Sequence, residues 1–390
     1  MIVTKLLPTA WLRLEYYARK IRKLTVRSSN YGTGDKSLFI ALATYRPVRN
    51  PLQNLQRITM DLESLPYIDS FLSPNVSQIS ITVRSSTRIS YVSLLLPSIP
   101  RLCPNLQKFT VDSTLPSNLG FERAAFQTIC SMHRMRTLDL GALRPPDGTI
   151  GRILHHLGNM TSLETLHNLY LPTEIQSLAK RNLILPSSGM VNHWFPKLRK
   201  LSLSLRDFDS AVIIMDSIHP PFISLEFDLS PIGQPKPHSH SKLLQSLACN
   251  PHLPLSLSTL VIFESLEHLA HNVSDAESIS QPLLALTNLE QLTLQLSGVE
   301  MFDDMWLNRA SKCFPRLQIL QLQGGDSEKT RITLAGYVPL LQNCPRLRLI
   351  ATAVACQSFN TKKALPAGLD FVTEAWRNSF VCKNHRSSHQ

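Results

Sequence analysis

Apolar residues recur along this chain in one short phrase. In Phe314-Pro315-Arg316-Leu317-Gln318-Ile319-Leu320-Gln321-Leu322 a proline precedes leucines spaced three and two apart, with polar residues between them. The phrase returns as Pro104-Asn105-Leu106-Gln107-Lys108-Phe109-Thr110-Val111, as Pro196-Lys197-Leu198-Arg199-Lys200-Leu201-Ser202-Leu203 and as Thr287-Asn288-Leu289-Glu290-Gln291-Leu292-Thr293-Leu294. Followed by its central apolar residue, it runs through Leu24, Ile58, Ile79, Phe109, Leu138, Leu166, Leu201, Leu225, Leu260, Leu292, Leu320 and Ile350. Alternation around each centre predicts a short strand, and a phrase recurring every few tens of residues marks a repeat protein. Between the phrases, 121–132, 151–157 and 334–341 carry helical spacing. Prolines 104, 196, 315 and 345 stand where such a helix should stop. The predicted unit is helix, turn and short parallel strand, with an apolar side that only a stacked neighbour can bury.

The ends and the long connections read differently. Trp11, Leu14, Tyr17 and Ile21 predict one buried face of an N-terminal helix, and 28–36 a loop. Segments 172–194 and 230–242 are expected to be exposed loops, 371–380 a capping helix and 383–390 a frayed tail. The predicted organisation is a capping helix over 1–20, about twelve irregular repeats over 21–358, and a C-terminal cap and tail over 359–390.

Leu-x-x-Leu-x-Leu resembles the strand core of a leucine-rich repeat. The fold class this implies is an α/β leucine-rich-repeat solenoid: an irregular horseshoe with parallel strands on the concave face and helices on the convex face. The asparagine usual in that repeat, three positions beyond the last leucine, is Thr114, Arg206, Ser297 and Gly325 in the four best copies. Its ladder is therefore missing, and the backbone has to be satisfied in another way. Over most of its length the chain also resembles fungal F-box proteins with degenerate leucine-rich repeats. The stretches that carry this are 11–24, Leu102-Cys103-Pro104-Asn105-Leu106, 303–322 and 332–347. In that family the Tyr-Tyr-Ala-Arg segment, here Tyr16 to Arg19, follows the F-box that docks on the Skp adaptor of a cullin (SCF) ubiquitin ligase. The F-box is not in this sequence, so the resemblance implies the substrate-recognition part, with a Skp adaptor as partner only if an F-box lies upstream of Met1.

Composition narrows the function classes. With 43% hydrophobic and 17% charged residues, the 390-residue chain can bury a large core. The net charge of +12 is spread thinly, with its densest patch at Arg19-Lys20-Ile21-Arg22-Lys23. No recognition element or aromatic–basic interleaving accompanies it, so nucleic acid is a secondary reading. Seven scattered cysteines without CxxC spacing fit a reducing compartment and an intracellular protein, cytoplasmic or nuclear. No apolar run reaches the length of a membrane span.

Candidate chemistry is sparse. His238-Ser239-His240 reads as a solvated loop and not a metal site, and one of His155 and His156 should pack while the other faces water. Cys103 and Cys344 share one phase of the repeat and read as small buried hydrophobes, so replacing them should cost stability only. Asp303-Asp304 reads as a helix start, and Gly324-Gly325 as a turn. No cofactor and no catalytic site are expected. The residue after each central apolar position should face outward onto the concave sheet face. These are Thr59, Thr110, Asp139, Ser202, Glu226, Val261, Thr293 and Gln321, with Ala351 at the end of the series. Small neutral groups and two acids suit a protein or peptide. The expected function is non-catalytic protein recognition, with a stand-alone repeat scaffold and a basic nucleic-acid binder as rivals.

Overall fold

The computed structural model describes residues 12–13, 16–26, 52–61, 71–83, 93, 95–113, 118–141, 143–180, 194–229, 239–264, 276–296, 298–324 and 330–352. The chain divides into two compact units, Met1–Leu205 with Ile213–Phe222, and Arg206–Val212 with Ile223–Gln390. In the first unit the strands are β1 (Lys23–Val26), β2 (Arg57–Asp61), β3 (Gln78–Val83), β4 (Lys108–Ser113), β5 (Thr137–Asp139), β6 (Thr165–Leu171) and β7 (Lys200–Leu205). In the second they are β8 (Ser224–Leu229), β9 (Thr259–Glu264), β10 (Gln291–Gln295), β11 (Ile319–Gln323) and β12 (Leu349–Thr352). Within each unit every strand pairs in parallel with its sequence neighbours. Neighbouring parallel strands need a crossover, and from β3 onward each described connection contains a helix. Those used below are α1 (Ile99–Leu102), α2 (Leu119–Cys130), α3 (Ile150–Gly158), α4 (Ile175–Lys180), α5 (Phe208–Ser217), α6 (Ser239–Cys249), α7 (Leu253–Ser256), α8 (Ala276–Leu284), α9 (Asp304–Cys313) and α10 (Tyr337–Asn343). The architecture is an α/β solenoid.

The three leucines of the phrase form three columns, buried except at half-buried ends such as Leu24 and Ile350 of the central one. The first column runs through Leu55, Val76, Leu106, Met135, Leu163 and Leu198 in one unit, and through Leu257, Leu289 and Leu317 in the other. The central column is the predicted one, paired in register as Leu24 with Ile58, Ile79 with Phe109, and Leu292 with Leu320. The third includes Ile81, Val111, Phe227 and Leu294. Each leucine-sized side chain taken from water contributes roughly 1.5–3 kcal/mol, so the columns dominate cohesion.

The turn before each strand explains the prolines. The amide of Leu106 donates to Cys103 O at 3.1 Å and that of Leu317 to Phe314 O at 3.0 Å. Pro104 and Pro315 therefore sit second in a four-residue turn, where a fixed φ is pre-set and no amide is needed. One carbonyl of each turn then accepts two amides from the next: Ser77 O from Gln107 and Lys108 at 2.8 and 3.0 Å, Glu290 O from Gln318 and Ile319 at 2.7 and 3.0 Å. Asparagines in these turns add a second ladder. The side-chain amide of Asn54 donates to Arg19 O at 2.6 Å, that of Asn75 to Gln53 O at 2.8 Å and that of Asn105 to Pro74 O at 3.1 Å. In place of the usual asparagine beyond the strand, asparagines in the turn before it satisfy carbonyls of the preceding repeat.

Three sequence expectations need correction. Tyr17 does not lie on a buried face: it is 61% exposed, and Ala18, which opens the first turn, is buried instead. Trp11 and Leu14 lie outside the described residues. Segment 172–194 is not simply an exposed loop, because Ile175 on α4 and Trp194 are buried, the latter with its ring 3.1 Å from where a side chain on Gly158 would start. His240 is not in a solvated loop but buried on α6, edge-on to Phe208 at 6.4 Å. A loop that docks an apolar ring carries no periodicity by which sequence could show it. Segments 28–36, 371–380 and 383–390 lie outside the described residues, as does His238. No described helix is long and apolar enough to cross a membrane.

Candidate functional site

Opposite the buried columns, period two turns a second set of side chains outward. In the first unit register aligns Thr59, Ser80, Thr110, Asp139 and His167. In the second it aligns Glu226, Val261, Thr293, Gln321 and Ala351. Thr59, Thr110, Asp139, Glu226 and Gln321 are half-buried, which leaves part of each side chain open to a ligand. Ser202, Val261 and Thr293 are not open, being only 2%, 9% and 6% exposed. Neighbouring polar chains reach over Thr293: its hydroxyl donates to Gln321 Oε1 at 2.9 Å, and Gln291 Nε2 approaches it at 3.5 Å.

Ser202 is tied to a local break in the sheet. The β6–β7 register shifts between Leu166 and Leu169, and Asn168 takes φ 57° there. Asparagine tolerates the left-handed region better than other side-chain-bearing residues. Its amide donates to Asp139 Oδ1 at 2.9 Å, and the same oxygen accepts from Gly141 N at 3.2 Å. Ser202 Oγ lies 3.5 Å from Asn168 Oδ1. Asp139, Asn168 and Ser202 thus form a polar cluster on the outward sheet face, with His167 beside Asp139 in register. Outward residue lists built on strict alternation miss Asn168. The signal was the pair His167-Asn168 interrupting the apolar phrase.

Several of the residues singled out for chemistry occupy structural positions. Cys103 and Cys344 are both 1% exposed and close their helices with nearly the same backbone, φ −124° and ψ 65° against φ −116° and ψ 75°. Burial pushes each thiol up to about 11, and a backbone hydrogen bond at Ser73 pulls Cys103 the other way. A thiol held protonated at neutral pH is a poor nucleophile. His156 reaches Ile129 O and Met132 O at 3.2 and 3.1 Å, so its Nε2–H serves the carbonyls at the end of α2, while His155 is exposed. Burial, offset in part by those carbonyls, lowers the His156 pKa. Asp303 Oδ1 accepts from Trp306 N at 2.8 Å and caps α9; Asp304 accepts from Thr333 N at 2.8 Å and Thr333 Oγ1 at 2.6 Å. A side chain on Gly324 would meet Glu300 at 2.2 Å, so that glycine answers a close approach. Among the described residues no group of three His, Cys, Asp or Glu converges to hold a metal ion.

No family model matches the chain, and no curated protein matches it. Among solved structures it is similar to a chain of the yeast Rad7–Elc1 complex, with 16% identity and a TM-score of 0.45 over 88% of this chain and 93% of that one.

Proposed function

We propose that this chain is a non-catalytic recognition protein that binds a protein partner on the outward faces of its sheet. The observation that carries this reading is the in-register row of half-buried polar side chains, Thr59, Thr110 and Asp139 in one unit and Glu226 and Gln321 in the other. A rigid sheet holding such groups at strand spacing presents many weak contacts to an extended surface, which is how repeat solenoids commonly engage proteins. The resemblance at Tyr16 to Arg19, 102–106, 303–322 and 332–347 adds a finer reading, the substrate-binding region of an F-box-type ubiquitin ligase subunit.

A photo-crosslinking residue at Thr110 or Glu226 tests the first part. Both positions should capture a discrete partner that the same residue at Arg123 or Gln127, exposed on α2, does not. Equal capture from α2 would sink the sheet-face reading. If the chain serves a ligase, the partner so identified should accumulate when this protein is removed. An unchanged half-life would leave a stand-alone scaffold.

A further inference from the structure

The positive charge that looks diffuse in sequence is concentrated by the fold. Register places Lys23, Arg57, Lys108 and Lys200 in one row, at the first residue of β1, β2, β4 and β7. The residue just before each strand forms a second row through the shared-carbonyl ladder, and there Arg22, Arg136 and Arg199 recur. All seven are exposed, and among the described residues none pairs with a carboxylate. Glu164 is the one acid in these two rows of the first unit. In the second unit the equivalent rows, Ser224 to Leu349 and Ile223 to Arg348, hold one cation, Arg348, and one acid, Glu290. The strip is thus a property of the first unit and not of the repeat. Five of its seven strands carry a cation at the first residue or the one before it, across six strand spacings or roughly 29 Å.

One end of the strip carries aromatic rings. Tyr16 and Tyr17 are 59% and 61% exposed, the only exposed Tyr, Phe or Trp among the described residues. Their rings meet edge-on at 5.2 Å, and Lys20 Nζ lies 4.2 Å from the Tyr16 centroid. A run of cations suits any polyanion, but exposed rings beside it select one whose units have flat faces. We propose that this strand-start edge of the first unit binds single-stranded nucleic acid, the cations tracking phosphates and Tyr17 stacking on a base. The surface is distinct from the outward sheet face, so either proposal can fail alone.

The test is fluorescence anisotropy of a labelled 20-nucleotide oligo-dT on the full chain across a salt series. Contact with about seven phosphates gives a slope of log K against log salt near −5, at about −0.7 per phosphate. K23Q/R57Q/K108Q/K200Q should shallow that slope by about 3. R309Q/K312Q, exposed on α9, should leave slope and affinity unchanged. Tyr17→Ala should weaken binding at least about fivefold with the slope kept, the size of one lost stacking contact. Absence of binding at low salt overturns the proposal. So does equal displacement of the oligonucleotide by polyglutamate at matched charge together with an inert Tyr17→Ala, an outcome that assigns the strip to an acidic protein segment instead.

Discussion

At the scale of single residues, the position that opens each pre-strand turn shows what the fold asks of a side chain. Cys103, Phe314 and Cys344 occupy it with almost the same backbone, and all three are buried. Their shared requirement is apolar volume, and thiol chemistry plays no part in it. Native alkylation at pH 8 should therefore label the exposed Cys249 while Cys103 and Cys344 stay unmodified until the chain is unfolded. Rapid labelling of either buried thiol would contradict this. A pH effect follows from the same burial. Both folded thiols titrate near 11 against an ordinary 9.0, so between those values the unfolded chain has lost protons that the folded chain keeps. Stability should be independent of these groups below pH 9 and fall as pH rises toward 11. Cys103→Ala and Cys344→Ala should each remove part of that alkaline loss, at a cost of about 1 kcal/mol in packing at pH 7.

At the scale of the element, the turn is where neighbouring repeats are joined by side chains. Asn105 donates to Pro74 O in the preceding repeat and accepts from Arg134 Nη1 at 3.2 Å in the following one. Asn105→Ala should lower stability in urea by about 0.5–1.5 kcal/mol, and Asn105→Asp, which keeps the acceptor but not the donor, by less. An Ala variant with unaltered midpoint would show that water replaces the ladder at no cost. The strand centres were legible in sequence because burial writes itself as periodicity, and each of Leu24 through Ile350 stands in its strand. The ladder was not, since the asparagine usual in the repeat lies beyond the strand, whereas Asn54, Asn75 and Asn105 each stand one residue before the first apolar position, and their acceptors are carbonyls that only stacking brings within reach. Outward exposure was only half legible. Alternation gives the side on which Thr293 sits, but its cover by Gln321 and Gln291 depends on side-chain reach across strands. The basic strip escaped for a related reason: Lys23, Arg57 and Lys108 fall into one row only once the repeats are stacked.

At the scale of the molecule, connectivity decides how damage spreads. Every strand within a unit pairs only with its sequence neighbours, so cohesion is largely a chain of nearest-neighbour interfaces. A lesion should then loosen its own repeat and the next while distant repeats keep their protection. Phe314 is fully buried before β11, and Phe314→Ala should cost about 3–5 kcal/mol. Hydrogen exchange reads the consequence directly, because the turn amides are hydrogen-bonded from repeat to repeat. In the variant, the amides of Gln318, Ile319, Arg348 and Leu349, which bond to Glu290 O and Gln318 O, should exchange faster. Those of Ser77, Gln78, Gln107 and Lys108, bonded to Gln56 O and Ser77 O, should keep the rates of the parent protein. Equal acceleration of both sets would mean that the array opens only as a whole, and that the two compact units have no independent cohesion. Retained protection in the first set would mean that a column of leucines suffices without its aromatic neighbour. Local loss alone fits a solenoid in which each repeat is held by the two beside it.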